Sequence, residues 1–283
     1  MPHPLSLSVR IAEGFLSKEE AVLDLVQVIT LAKEAGYDAL CMRASQIGIH
    51  SSEEAIKQAA KTIIQSGIPI SMVTGDFDIV YNNEKGPMCL RNITPFLDLA
   101  ETLKAPMIRV ALKSDEDILT AQSAADEAAE RNITLVHQCH TLSLFETIEA
   151  CEQTASRINR ANFGIIYEPA NLELCGQAYL GTALDRLRPW IKNVYLQNQK
   201  ITPDGAVTLD TWCRGPVRFD LLPIHANGGI QFESVLAELR RIEYCGPITL
   251  HQSAQPGEPA LETARRSAVY LRSIMGGGLA ATE

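Results

Sequence analysis

Glu168, Pro169 and Asn171 stand directly behind a five-residue apolar run at 163–167, within the stretch FGIIYEPANLELCG. A run this short and this apolar reads as a buried parallel strand. A carboxylate placed where such a strand leaves the core can accept or donate a proton, or hold a cation. The plainer role for Glu168 is a salt bridge to a neighbouring loop, and for Asn171 the shaping of a turn. A second group is His137-Gln138-Cys139-His140. Side chains alternate along a strand, so Gln138 and His140 share one face, and His137 and Cys139 take the other. Cys139 beside histidines has the setting of a nucleophile, although on a strand it serves packing. Further polar groups end other apolar runs: Arg43, Thr74, Arg109, Tyr195 with Gln197, and His251 with Gln252.

These residues share a location only if the elements carrying them do. Residues 5–12 (LSLSVRIA) alternate like a strand, and Ser17-Lys18-Glu19-Glu20 reads as a capping box for a helix running to Ala35. Further strands are predicted at 39–43, 69–73, 107–111, 134–140, 163–167, 191–197 and 248–252. Helices are predicted at about 52–66, 91–103, 114–131, 144–157, 179–187, 232–242 and 260–275. Two connections are long, 75–87 and 198–229; the first is read as a candidate active-site loop and the second as a long loop whose residues are exposed by default. Eight strands alternating with eight helices predict a single α/β domain over 1–283, a (β/α)8 TIM barrel, with 276–283 as a frayed tail. The competing fold, an open doubly wound sheet, calls for a glycine-rich turn after the first strand, and AEGFLS has one glycine. In a barrel the chemistry sits at the carboxyl ends of the strands, so Gln138, Glu168, Tyr195 and His251 are expected to converge at one mouth.

A formal net charge of −9 argues against a protein held to nucleic acid or an anionic membrane by its overall field. No apolar run reaches membrane-spanning length, and the N-terminus lacks a signal pattern, so a cytoplasmic location is expected. Seven scattered cysteines form no CxxC pair.

LVHQCH, GIIYEPANL, VYLQN and GPITLHQS resemble, at matching spacings, segments of the xylose-isomerase-like TIM barrels, which include sugar epimerases and endonuclease-four-like proteins. The resemblance spans most of the chain and implies a sugar or sugar-acid isomerase or epimerase acting next to a carbonyl. In that family a Glu, an Asp, a His and a Glu on strands five to eight hold one divalent metal, and the two Glu move protons. The matching positions here are Gln138, Glu168, Tyr195 and His251, of which one is a carboxylate. Three readings follow. In the first, Glu168, His251, His140 and Gln138 hold a borderline ion such as Zn²⁺, or Mn²⁺. In the second, His251 or Glu168 is a metal-free general base, with Tyr195 and Arg43 or Arg109 polarising a carbonyl. In the third, the barrel binds a sugar-like ligand or a partner chain without chemistry. With two family carboxylates missing, a lyase or decarboxylase on an oxo-sugar acid is the alternative reaction. Arg43, Arg109, His140, Asn171, Gln197 and Trp212 are the expected substrate contacts, with Trp212 stacking on a sugar face and His225 and Asp220 in the same long loop. The absence of both a histidine-rich cluster and a basic surface speaks against the endonuclease branch, and a homo-oligomer is compatible with the sequence.

Overall fold

The computed structural model describes residues 3–14 and 17–276, so the tail expected to fray lies outside the described residues except for Gly276. The strands in chain order are β1 (Leu5–Ser8), β2 (Ala39–Arg43), β3 (Ile70–Thr74), β4 (Met107–Val110), β5 (Thr134–Gln138), β6 (Phe163–Tyr167) and β7 (Ile191–Leu196). An inserted trio follows, β8 (Asn198–Ile201), β9 (Val207–Thr211) and β10 (Gly215–Leu222), and then β11 (Ile248–Leu250). Eight of them close a barrel in the order β1-β11-β7-β6-β5-β4-β3-β2, with β11 parallel to both β1 and β7. This is the (β/α)8 architecture expected from the alternation.

The helices are α1 (Leu25–Glu34), α2 (Glu53–Ser66), the single turns α3 (Phe77–Val80) and α4 (Met88–Arg91), α5 (Thr94–Leu103), α6 (Glu116–Glu130), α7 (Ile148–Ile158), the short α8 (Pro169–Leu174), α9 (Thr182–Leu187), α10 (Phe232–Arg241) and α11 (Ala260–Met275). Their apolar stripes, such as Phe96, Leu97 and Ala100 on α5, pack onto the outward faces of the strands and form the main core. None is long and apolar enough to cross a membrane.

Alternation sends every second strand residue into the barrel. At the amino end Ser6 and Ser71 share a hydrogen bond of 2.8 Å, and the Thr249 hydroxyl donates to Asn193 Oδ1 at 3.0 Å. Above this polar floor lies an apolar layer of Cys41, Met72, Met107, Val136, Ile166 and Tyr195. Two residues further along each strand the inward positions are Arg43, Thr74, Arg109, Gln138, Glu168, Gln197 and His251.

Four expectations need correction. The first strand does not run to Ala12. The Ser8 hydroxyl accepts the Arg10 N–H and turns Val9–Ala12 into a 3-10 helix. The first helix does not start at Ser17: residues 17–24 hold no helical turn, and Ala21 instead pairs with Glu13 in an isolated antiparallel bridge. It is Asp24 that caps α1, in a reciprocal box with Gln27 whose two bonds are 2.9 Å each. The first long connection, read as loop, contains α3 and α4, and α8 follows Glu168 at once, with Pro169 at the first helical position, where a missing N–H costs nothing. The second is no loop: β8 and β9 both pair antiparallel with β10. Gly205 in the β8–β9 turn is required by close approach, since a Cβ there would lie 2.4 Å from the Phe219 nitrogen.

Candidate active site

A cavity of about 180 Å³ opens at the carboxyl ends of the barrel strands. Its polar wall is Arg10, Lys18, Arg43, Arg109, Gln138, His140, Glu168, Asn171, Gln197 and His251, and its apolar cover is Val80, Val207, Leu209, Phe219 and Leu221. The cover thus comes largely from β9 and β10, anchored by a small core of Leu174, Val217 and Phe219. A larger groove of about 600 Å³ between α1 and the start of α11 is apolar and has no histidine, cysteine, lysine or arginine on its walls.

Glu168 is 1 % exposed. Its Oε2 accepts hydrogen bonds from Gln138 Nε2 and, at 2.9 Å, from Asn171 Nδ2, while Asn171 also donates to the Cys139 carbonyl at 2.9 Å. Oε1 has no hydrogen-bond partner among the described residues, and it is the oxygen left for a ligand. Burial pushes the carboxyl up to about 7, against the opposing pull of the Gln138 hydrogen bond and of Arg109, Arg10 and Lys18. The Gln138 amide is oriented by this contact: its N–H faces the carboxylate, and its Oε1 is buried without a partner, an acceptor suited to a ligand hydroxyl.

Sequence reasoning missed three residues of the wall and its support. Arg10 follows Ser6 and Ser8 in the alternation, and its place inside an apolar-polar run was the available signal. Glu13 is 3 % exposed, accepts from Arg43 Nε and the Ser45 hydroxyl at 2.7 Å each, and lies 3.8 Å from Arg10. Lys18, assigned to a cap, reaches the cavity instead and stands 5.3 Å from the Tyr81 ring centre. Arg109, expected either to anchor substrate or to pair with Glu168, makes no hydrogen bond and no ion pair among the described residues. Burial lowers Arg10 and Arg109 to about 10, leaving both protonated at neutral pH, and lowers Lys18 to about 7.

His251 Nε2 faces Arg43 Nη1 at 3.4 Å, and its Nδ1 lies 3.1 Å from the Ser8 hydroxyl. Because a guanidinium only donates, we assign the imidazole proton to Nδ1. Burial and the surrounding cations hold His251 well below its usual range, hence neutral. Tyr195 sits one layer below the cavity, stacked on the His251 ring at 3.9 Å, with its hydroxyl 3.3 Å from Cys41 Sγ; it supports His251 and does not line the cavity. His140 is on the wall, its Nδ1 2.9 Å from the Thr141 carbonyl, whereas His137 and Cys139 face outward, His137 stacked on Phe145 at 4.3 Å. Trp212 is 54 % exposed in the β9–β10 turn, where its backbone N–H donates to Glu146 Oε1 at 2.8 Å, and it does not reach the cavity wall. His225 bonds Arg266 at 2.9 Å and Asp220 accepts the Ala206 N–H at 2.8 Å, so neither joins the site.

The four positions implied for a divalent metal do not fit one. Only Glu168 is a carboxylate, one of its oxygens is taken by two amides, the Tyr195 hydroxyl points to Cys41, and His251 presents its free nitrogen to a guanidinium. Hard ions need several oxygen ligands, and three arginines and a lysine line the same cavity. Among the described residues, the one group of three or more His, Cys, Asp or Glu whose ligand atoms lie within 4.8 Å of one another is elsewhere, at Glu146, Cys175 and Cys213.

The family model described as xylose isomerase-like TIM barrel matches residues 29–274. No curated protein matches the chain in sequence. Solved structures with the same fold include a probable 3-DHS dehydratase from Bacillus anthracis (TM-score 0.70, 15 % identity, covering 96 % of this chain and 99 % of that one). A xylose isomerase-like TIM barrel protein from Mycobacterium smegmatis, in complex with magnesium, has a TM-score of 0.70 at 13 % identity and covers 96 % of each chain. D-psicose 3-epimerase with D-tagatose, from Clostridium cellulolyticum H10, has a TM-score of 0.70 at 13 % identity and covers 97 % of this chain and 99 % of that one.

Proposed function

We propose, from the premise that this chain belongs to the xylose isomerase-like TIM-barrel family, that it is an enzyme moving a proton next to the carbonyl of a sugar-like compound, with Glu168 as the base. The observation that carries this reading is the single carboxylate on the cavity wall, held near neutrality at about 7 with one oxygen free. A group poised there can take a proton and return it at the same pH. Gln138 and Asn171 fix the carboxylate through Oε2, so proton transfer occurs at Oε1. The negative charge that develops on the carbonyl oxygen needs preorganised donors, and Arg109 and Arg43, both buried at the cavity wall, are the strongest available. His251, neutral and stacked on Tyr195, keeps Arg43 in place and supplies no charge of its own.

One base on one side of the substrate suits a 1,2-isomerisation, in which the same carboxylate removes and returns the proton. A two-base epimerisation requires a second proton donor on the opposite face, and neither His140 nor His251 is held protonated there. The same shortage supports the second reading, a lyase or decarboxylase on an oxo-sugar acid, where the enediolate needs one protonation. The test is a turnover screen across aldoses, ketoses and their acids, with Glu168→Gln as control. Glu168→Gln is expected to lower turnover by about 10²–10⁴-fold while circular dichroism and melting temperature stay near wild type. Near-normal activity in that variant would remove Glu168 from the chemistry. Binding without turnover in the whole screen would favour the non-catalytic barrel.

A further inference from the structure

The cavity wall carries three guanidiniums, Arg10, Arg43 and Arg109, and the Lys18 amine, whereas the carboxylates that face or support it are two, Glu13 and Glu168. Glu13 sits behind the wall and pairs with Arg43 at 2.7 Å and more loosely with Arg10 at 3.8 Å. Arg109, 3 % exposed, has no partner, and Nε of Arg109, Nε of Arg10 and Nη2 of Arg43 are all buried without an acceptor. An uncompensated guanidinium inside a protein is costly, because the low dielectric leaves both its charge and its N–H groups unsatisfied. A neutral sugar answers the second need only: hydroxyls accept hydrogen bonds but cancel no charge. A carboxylate or phosphate answers both, and guanidinium forks match these groups in shape. A divalent cation would worsen the imbalance.

We propose that the substrate enters as an anion, its carboxylate or phosphate held by Arg109 and Arg10 with Lys18 at the cavity mouth, and its reacting carbon presented to Glu168. This rests on the proton-transfer reading for the second half, the placement of the reacting carbon, and stands without it for the first. The cavity, about 180 Å³, is below the roughly 300–1,000 Å³ of drug-sized pockets, so the anion is a small metabolite.

The test is calorimetric titration of malonate, inorganic phosphate and D-glucose into the full chain at low ionic strength. One anion per chain is expected to bind at least about tenfold tighter than glucose, and to weaken as salt is raised. Malonate binding better than phosphate identifies a carboxylate substrate, and the reverse a phosphate ester. Arg109→Gln should weaken the anion about tenfold or more, and Lys18→Gln, at a half-buried site where folding is not at stake, about threefold. Glu168→Gln should bind the anion as tightly or tighter, since it removes an opposing charge. Anions binding no better than glucose, or Arg109→Gln and Lys18→Gln both binding like wild type, would overturn the proposal. That result leaves Glu168 untouched as the base if uncharged sugars are turned over. Conversely, anion binding together with a fully active Glu168→Gln variant would sink the proton-transfer reading and leave the anion site standing.

Discussion

Glu168 works through asymmetry between its two oxygens, one committed to the Gln138 and Asn171 amides and one open to the cavity. With the carboxyl raised to about 7, the base form is populated only as pH rises through neutrality, so kcat/KM is expected to climb through about pH 7, and a profile flat from pH 5 to 9 would contradict the assignment. The cavity wall sets three guanidiniums against one carboxylate, a poor ligand set for a hard cation. Elemental analysis of purified protein is therefore expected to find divalent metal well below one equivalent, and excess EDTA should change turnover by less than about twofold. Glu168, Gln138, Arg43, Arg109, Gln197 and His251 were legible in the sequence because each stands within one residue of the end of an apolar strand, in the inward register that period-two alternation sets. Arg10, Glu13 and Lys18 were not, because they lie beyond β1 in a segment whose path is set by a 3-10 turn and one isolated bridge rather than by any periodicity. Tyr195 was placed one layer too high: it shares the inward face but is two residues short of the mouth.

At the level of elements, the barrel strands matched their apolar runs closely, and β6 coincides with the run at 163–167. The inserted sheet escaped because β9 and β10 bury one face only partly and alternate around charged and turn residues, a pattern that reads as polar loop. Yet that sheet supplies the cover over the cavity. Leu209 is half-buried on it and lines the cavity with an apolar side chain. Leu209→Ser should raise KM about five- to tenfold with kcat nearly unchanged, since apolar cover contributes equally to ground state and transition state. A drop in kcat alone would assign Leu209 a different role. The start of α1 gives a stability test of its own: Asp24→Ala removes a reciprocal capping box and should cost about 1 kcal/mol in denaturant unfolding, whereas Ser17→Ala should cost nothing measurable.

Over the whole molecule, buried titratable groups link stability to pH in opposite directions. Burial lowers His137 to about 3 and holds His140 and His251 well below their usual range, so between about pH 3 and 6.5 the unfolded chain binds protons that the folded chain does not. Stability from these histidines is complete above pH 6.5 and is lost as pH falls. Glu168 acts the other way: raised from 4.5 to about 7, it binds a proton in the folded state across that window, and its contribution is lost as pH rises. Three groups oppose one, so the melting temperature is expected to fall on acidification from pH 6.5 to 4. Two variants separate the terms. His137 lies on the outward face of β5, stacked on Phe145 and away from the cavity, so His137→Phe keeps the stack while removing one titrating site; its melting temperature should fall less steeply with acid than that of the wild type. Glu168→Gln removes the opposing group and should make the fall steeper. Parallel pH curves for all three proteins would mean that acid sensitivity resides in the many surface carboxylate pairs rather than in the barrel.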